Sequence, residues 1–257
     1  MRFKIFSAFI VTAFIVFACS FKKKPAEQSI NNAAFEPVAV IELFTSQGCS
    51  SCPPADALLA ETIADATTNN KKIFALSFHV DYWNRLGWTD PFSNKDYSAR
   101  QNNYINTLGL EGAYTPQMIV NGSKEFVGSD KNALDKALTT ALNTKAAVQF
   151  NSLTTAYKDD KTIQVQYAVD GDVAGSKIHI ALVSLKETTA VKRGENGGQT
   201  LINENVVRKF STKNAASSGT MEFTGTDLPA KENLSVIAFI QKDKDQKIVG
   251  AAMAKMN

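Results

Sequence analysis

The sequence predicts an α/β domain, with a mixed sheet flanked by helices, followed by an all-β C-terminal domain that is sandwich-like. Three observations predict this architecture. Apolar runs typical of strands alternate with helically spaced segments over residues 38–145. Short strands separated by turn signals follow over residues 146–257. The chain has 257 residues and is 44% hydrophobic, which is enough for more than one domain.

The first domain begins with a strand, a helix and a second strand. The apolar run 38–44 predicts a strand, and residues 55–66 place Leu59 and Ile63 on one side of a helix. The apolar run 72–79 suits a strand that is buried on both faces of a parallel sheet. These elements predict a strand–helix–strand unit at the start of the domain.

The rest of the first domain holds a helix, a hairpin and a last helix, predicted over residues 94–108, 117–127 and 132–142. The pair Asn121-Gly122 is a strong turn signal and predicts the hairpin. Ser129 is the expected N-cap of the last helix.

The second domain shows short strands with turn signals between them. The strands are predicted over residues 147–157, 162–169, 177–185, 220–224, 234–241 and 248–252. The stretch from Gly194 to Gly198 predicts a loop.

The N-terminus predicts export. Residues 1–18 have a short positive start and an apolar run that is too short to span a bilayer, as in a signal peptide. The run ends at Cys19, in a context that resembles the lipobox of bacterial lipoproteins. We therefore expect a lipid on Cys19, a flexible tether over residues 19–37 and anchorage to a bacterial membrane, facing the periplasm or exterior. A soluble secreted protein and an uncleaved anchor are the alternatives.

The charge balance gives no reason to expect nucleic acid as a partner. The chain carries 28 basic and 25 acidic residues, a formal net charge of +3. Removal of residues 1–18 takes away Arg2 and Lys4, so the mature chain would have 26 basic residues against 25 acidic ones. A near-neutral protein lacks the basic surface that phosphate backbones attract.

The residues that carry chemistry are Cys49 and Cys52, which stand between a predicted strand and a predicted helix. Two cysteines three positions apart can form a disulfide, and the helix N-terminus favours a thiolate. If Cys19 carries lipid, these are the remaining thiols of an exported chain. We expect Cys49, at an exposed mouth, to attack a disulfide and Cys52 to resolve the mixed disulfide.

The chain resembles the thioredoxin superfamily. It is closest to an uncharacterised family of secreted bacterial thioredoxin-like proteins, a domain of unknown function. The stretches that carry the resemblance are ELFTSQGCSSCPPAD (42–56), SFHVDYW (77–83), ARQ (99–101), YTPQM (114–118), EFVGSD (125–130) and RGEN (193–196). They cover most of the chain after residue 38. The resemblance implies the fold and a thiol function but supplies no substrate.

The resemblance also assigns roles to residues near the cysteines. It implies a cis proline at Pro116, after Thr115, beside the two cysteines, where it exposes backbone to a substrate peptide. Thioredoxin has a buried acid shortly before its motif, and Glu42 is the candidate here. Gly48 replaces the tryptophan of thioredoxin, and Ser50-Ser51 replaces Gly-Pro, which leaves the direction of electron flow open.

His79 and Asp81 follow a predicted parallel strand, at the sheet edge where ligands gather. Either side chain could face the dithiol as a proton shuttle, a thiolate partner or a copper ligand. The alternative is a His that caps the strand end. Trp83 and Trp88 either line a peptide groove or pack the insertion, and Arg100 is expected to be solvated or ion-paired.

Three functions are compatible with these residues. The first is an extracytoplasmic thiol–disulfide oxidoreductase without a bound cofactor, whose partners are protein or peptide thiols and disulfides and a second redox protein. The second is a copper chaperone that uses Cys49, Cys52 and His79, since two thiolates and one imidazole suit Cu(I). The third is a binding module on a thioredoxin scaffold without catalysis. A structural disulfide would stabilise little, because the loop it closes is short.

Overall fold

The computed structural model describes residues 1, 35–225, 228 and 230–256. The predicted signal peptide, apart from Met1, lies outside the described residues, as do Cys19 and residues 19–34 of the predicted tether. The helices are α1 (Pro53–Thr68), α2 (Lys95–Leu108) and α3 (Lys131–Leu142). The strands are β1 (Ala39–Thr45), β2 (Ile73–His79), β3 (Gln117–Val120), β4 (Lys124–Val127), β5 (Val148–Asp159), β6 (Thr162–Gly171), β7 (Ser176–Ala190), β8 (Thr200–Asn214), β9 (Ser218–Thr224), β10 (Leu234–Lys242) and β11 (Ile248–Lys255).

The protein is a mixed α/β fold built on an eight-stranded sheet with the order β11-β10-β7-β8-β2-β1-β3-β4. Strands β1 and β2 are parallel, β8 joins β2 in parallel, and the other neighbours are antiparallel. The sheet is continuous across the predicted division at residue 145, and the described residues from Phe35 onward belong to one compact unit.

Strand β8 connects the two halves of this sheet, and the sequence did not predict it. It pairs with β7 along its length and meets β2 where Val206 lies opposite Ser77. Its inward positions include the polar residues Asn203 and Asn205, and Asn205 has a positive φ of 48°. The period-two apolar pattern that identifies a strand is therefore interrupted.

A second, three-stranded sheet has the order β5-β6-β9. One hydrophobic cluster contains side chains from this sheet, such as Val165 and Phe223, together with Ile180 and Val236 of the large sheet. Another contains Leu43 and Met118 of the large sheet together with side chains of α1 and α3. Burial of these apolar side chains is the main force that holds the elements together.

Local chemistry explains where the helices begin. Pro53 and Pro54 occupy the first turn of α1, where their missing N–H groups cost little. Asn94 caps α2 by accepting the N–H of Asp96. Asp130, rather than Ser129, caps α3, because its side chain accepts the N–H of Ala133. Over the described residues, no helix is long and apolar enough to cross a membrane.

Candidate functional site: a buried disulfide at the start of α1

Cys49 and Cys52 form a disulfide in the loop that leads from β1 into α1, with their Cα atoms 5.5 Å apart. The Cys52 N–H donates to the carbonyl oxygen of Cys49 at 3.2 Å, and Cys52 is the N-cap of α1. Both cysteines are fully buried, with 0% of their surface exposed. The expectation that Cys49 stands at an exposed mouth is therefore wrong for this state of the protein.

Thr115 and Pro116 lie beside the disulfide and are joined by a cis peptide bond. The carbonyl oxygen of Thr115 is 3.9 Å from the Sγ of Cys49, and the hydroxyl of Ser51 is 3.3 Å from the same sulfur. The Gly128 N–H donates to the Pro116 carbonyl at 2.8 Å. The structure thus places Thr115 and Pro116 where the sequence predicted, next to the first cysteine.

Two tryptophans hold the loops around the disulfide. The indole N–H of Trp83 donates to the hydroxyl of Thr115 at 2.8 Å. That of Trp88 donates to the side-chain oxygen of Gln47 at 3.3 Å, and the Gln47 amide donates in turn to Asn203. These hydrogen bonds give the two indoles a positioning role at the site.

A buried polar cluster, consisting of Thr45, Asp56, Ser77, His79 and Asp90, lies next to the motif. Ser77 and His79 share one face of β2, and Thr45 is opposite His79 in the register of β1. The Thr45 hydroxyl donates to Oδ2 of Asp56 at 3.2 Å. The Nδ1 atom of His79 lies 2.7 Å from Oδ2 of Asp90. All five side chains are buried.

Three buried polar atoms of this cluster have no hydrogen-bond partner among the residues that the structure describes: Asp56 Oδ1, Ser77 Oγ and His79 Nε2. An unsatisfied buried polar atom destabilises the folded state by about 1–3 kcal/mol, so three of them in one cluster are unfavourable for folding. Such atoms are found where a water, an ion or a transferable proton has a role.

The ionisable groups of the cluster shift one another's pKa values. Burial raises the pKa of Asp56 to about 7, against the lowering effects of the nearby His79 charge and the Thr45 hydrogen bond. Burial lowers the pKa of His79, but the charges and hydrogen bond of its neighbours outweigh it, and the net shift is upward. Burial raises the pKa of Asp90, but His79 and two backbone N–H donors bring it below its ordinary value. The cluster therefore holds an acid, Asp56, that can exchange a proton near neutral pH.

The turn between β7 and β8 closes over the motif. Asn196 is buried, and its side-chain amide donates to the carbonyl oxygens of Gln47 at 3.0 Å and Cys49 at 2.9 Å. The Glu195 carboxylate accepts the Ser50 N–H at 2.9 Å and the Ser50 hydroxyl at 2.7 Å. Those hydrogen bonds lower the pKa of Glu195.

Other predicted site residues lie elsewhere. Glu42 is buried, but it pairs with Arg100 at 2.5 Å and with the hydroxyl of Tyr104, and the buried acid on the turn that follows Cys52 is Asp56. Asp81 accepts a hydrogen bond from Ser98 of α2 at 2.5 Å. No group of three or more His, Cys, Asp or Glu side chains that could hold a metal is present among the described residues. Copper binding through Cys49, Cys52 and His79 stays a prediction.

Sequence reasoning missed Asp56, Asp90, Glu195 and Asn196 as site residues. Asp56 could have been found, because it is the one charged residue on a buried face of α1 that is otherwise Ala, Leu and Thr, one turn after Cys52. Asn196 and Glu195 belong to the RGEN stretch, which carries part of the resemblance but gives no sign of what these side chains contact. Asp90 stands in a loop and offers no signal of its partner, since its contact with His79 depends on tertiary structure.

The fold and site define a mixed α/β protein with a buried disulfide at a helix N-terminus. Residues 40–241 match the family described as Protein of unknown function (DUF1223), and the chain belongs to that family. A crystal structure of a protein from Agrobacterium tumefaciens is similar, with 29% identity and a TM-score of 0.65 over 87% of this chain and 97% of that one.

A second solved structure is much less similar. It is a domain of the outer membrane lipoprotein Omp28 from Porphyromonas gingivalis, which is 14% identical over 44% of this chain and 97% of that chain, with a TM-score of 0.28. That likeness is too low to support an inference. No match was found among curated proteins.

Proposed function

We propose that this protein is a thiol–disulfide oxidoreductase that works outside the cytoplasm, on a thioredoxin-like scaffold with a sandwich-like C-terminal part. The observation that carries the proposal is the Cys49–Cys52 disulfide at the N-terminus of α1, beside the Thr115 carbonyl and a buried acid. The partial positive charge of the helix N-terminus stabilises a thiolate at this position.

The proposed reaction is a thiol–disulfide exchange in two steps. A thiolate of a substrate dithiol attacks the Sγ of Cys49, the Cys49–Cys52 bond breaks, and its electron pair goes to Cys52. The second substrate thiolate then attacks the substrate sulfur of the mixed disulfide and displaces Cys49. The substrate is oxidised by two electrons to a disulfide, and the two cysteines are reduced to a dithiol that receives the two substrate protons.

The buried polar cluster supports this proposal, because Cys52 needs a proton when it is released as a thiolate inside the protein. Asp56 lies one helical turn after Cys52, and its N–H donates to the Cys52 carbonyl at 3.1 Å. A carboxyl with a pKa of about 7 is partly protonated at neutral pH, so it can give a proton in one direction and accept it in the other.

Export is the second part of the proposal, and its support is in the sequence. Disulfides persist in oxidising compartments outside the cytoplasm. A lipid on Cys19 would anchor the protein to a membrane, where protein or peptide thiols are its substrates and a second redox protein restores its oxidation state. Nucleic acid is not among the proposed partners.

Single cysteine variants test the exchange. Cys52→Ser carries a free Cys49 thiol and should accumulate a mixed disulfide with a peptide disulfide, because in the reverse of this reaction Cys49 attacks the substrate and Cys52 is the resolving thiol. Cys49→Ser should form none and should lose disulfide reductase activity. A Cys49→Ser variant with full activity would overturn the proposal.

The rival function is a binding module in which the disulfide is structural. The full burial of both cysteines favours this rival. It predicts that the double Cys→Ser variant keeps its biological role, whereas an oxidoreductase loses it. Measurement of a growth or secretion phenotype in cells that carry the double variant separates the two.

A further inference from the structure

Both sulfur atoms of the disulfide lie beneath other residues, although exchange needs an attacking sulfur to reach one of them. Cys49 and Cys52 have no exposed surface. Exchange passes through a mixed disulfide, so the attacking sulfur must come within bonding distance of its target. Some part of the structure has to move before an external thiol reacts.

One segment from the other half of the sheet that contacts the motif is residues 193–198, which we name the cover. It is a compact turn whose two ends are joined by backbone hydrogen bonds. The Val191 N–H donates to the Gln199 carbonyl at 2.9 Å, and the Gly198 N–H donates to the Val191 carbonyl at 2.8 Å. Gly194 and Gly198 have φ values of 76° and 88°, which glycine adopts without steric cost.

Two adjacent residues of the cover hold it to the motif in different ways. Asn196 donates to two backbone carbonyls, those of Gln47 and Cys49, in a buried position. Glu195 accepts both polar hydrogens of Ser50, the residue between the cysteines that follows Cys49, and this contact is exposed to solvent. The exposed contact competes with water and is the weaker of the two.

We propose that residues 193–198 are a hinged cover on the disulfide, latched by Glu195 to Ser50, which must lift before Cys49 can be attacked. When the cover lifts, water can solvate the carbonyls of Gln47 and Cys49, so opening leaves no buried acceptor unpaired. The purpose of the cover rests on the proposed function, because gating matters only if the disulfide reacts. The effect of the cover on access to the disulfide does not depend on that function.

The rate of reduction of the disulfide tests the cover. The oxidised protein is mixed with excess tris(3-hydroxypropyl)phosphine, and free thiols are counted by alkylation and mass spectrometry. The phosphorus attacks one sulfur, the S–S bond breaks, and water supplies the oxygen of the phosphine oxide and the protons of two thiols. The phosphine is uncharged, so loss of the Glu195 charge does not by itself change its approach.

Glu195→Ala should raise the rate constant about three- to tenfold, the effect expected from the loss of two exposed hydrogen bonds to a charged group. Glu195→Gln keeps an acceptor oxygen and should fall between that variant and the native protein. Glu222→Gln is the matched control, since it changes an exposed carboxylate on β9 that accepts a hydrogen bond from Lys158, and it should leave the rate unchanged. A rate in Glu195→Ala equal to that of the native protein would overturn the cover.

A double-variant cycle separates a latch from general loosening. Ser50→Ala removes the hydroxyl donor on the other side of the same contact, so it should also speed reduction. The two substitutions break the same contact, so their effects on the rate constant should not add. The step from Glu195→Ala to the double variant should therefore raise the rate constant by a smaller factor than Ser50→Ala does in the native protein. Fully additive effects would overturn the latch. The measurement needs no substrate, so the two proposals can be rejected separately. An unchanged reduction rate in Glu195→Ala would reject the cover even if Cys49→Ser abolishes exchange. A Cys49→Ser variant with full activity would reject the oxidoreductase even if Glu195→Ala is reduced faster.

Discussion

Asp56 lies one helical turn beyond Cys52, and its backbone N–H donates to the carbonyl oxygen of Cys52 at 3.1 Å. The same residue carries a buried carboxyl with one oxygen bonded to Thr45 and the other without a partner among the described residues. A carboxyl with a raised pKa and the backbone of Cys52 are therefore fixed on the same turn of one helix. The predictions below follow from this arrangement and from the contacts around it.

The first prediction concerns the pH dependence of stability. Asp56 has a pKa of about 7 in the folded protein, whereas an unfolded Asp titrates near pH 4. Between pH 4 and pH 7 the folded state holds a proton that the unfolded state has lost, so the free energy of unfolding falls as pH rises. The fall is on the order of 4 kcal/mol, since one pKa unit is worth about 1.4 kcal/mol.

Asp56→Asn should remove most of this slope, and the variant should be more stable than the native protein at pH 8. Urea unfolding at several pH values measures it. Asp65→Asn is the control, because Asp65 is an exposed carboxylate on the same helix. An unchanged slope in Asp56→Asn would show that Asp56 is not the titrating group.

The second prediction concerns His79 and Asp90. Asp90→Asn removes the charge that raises the pKa of His79, so the imidazole pKa should fall. Loss of the buried partner should also destabilise the fold by roughly 3–5 kcal/mol at a pH where His79 is charged. The chain has two histidines, so NMR titration resolves His79 against His179. An unchanged pKa of His79 in Asp90→Asn would contradict the pairing of His79 with Asp90.

The third prediction separates a structural ion pair from the site. Arg100 binds Glu42 through two nitrogens at 2.5 and 2.9 Å and lies over the rings of Phe210 and Phe239. Arg100→Met should cost roughly 3–5 kcal/mol of stability, because it leaves the buried Glu42 carboxylate without its cationic partner. Arg100→Met with Glu42→Leu should recover much of that loss. Chemical denaturation measures both, and an equal loss in the single and double variants would refute the explanation.

A fourth prediction addresses the Trp83–Thr115 hydrogen bond. Trp83→Phe and Thr115→Val each remove one partner of a bond next to Cys49. In a double-variant cycle on the rate of exchange with a peptide dithiol, the coupling should be about 1 kcal/mol, the value of a typical hydrogen bond. Strictly additive effects would mean that the indole does not position Thr115.

The sequence predicts the local parts of this protein better than its long-range contacts. The strand before Cys49, the helix after Cys52 and the hairpin at Asn121-Gly122 follow from apolar period and turn chemistry, which are local. Strand β8 does not, because Asn203 and Asn205 break its apolar pattern and are satisfied by distant partners, Gln47 and the Ala75 carbonyl.

The site shows the same limit. Cys49, Cys52, Thr115 and Pro116 carry a motif, and the structure brings them together. The resemblance to thioredoxin implies a buried acid before the motif, with Glu42 as the candidate, but the side chain of Glu42 meets Arg100 from α2. The position of Glu195 over Ser50 spans 145 residues of sequence and can only be read from the fold.

The most direct test of the central claim is the reduction potential of the Cys49–Cys52 couple, measured in metal-free glutathione buffers. An exchange catalyst should have a value between about −120 and −270 mV, the span from a strong oxidant to thioredoxin, and the value would show which way electrons flow. A value below about −300 mV is typical of a structural disulfide and would contradict the proposed oxidoreductase.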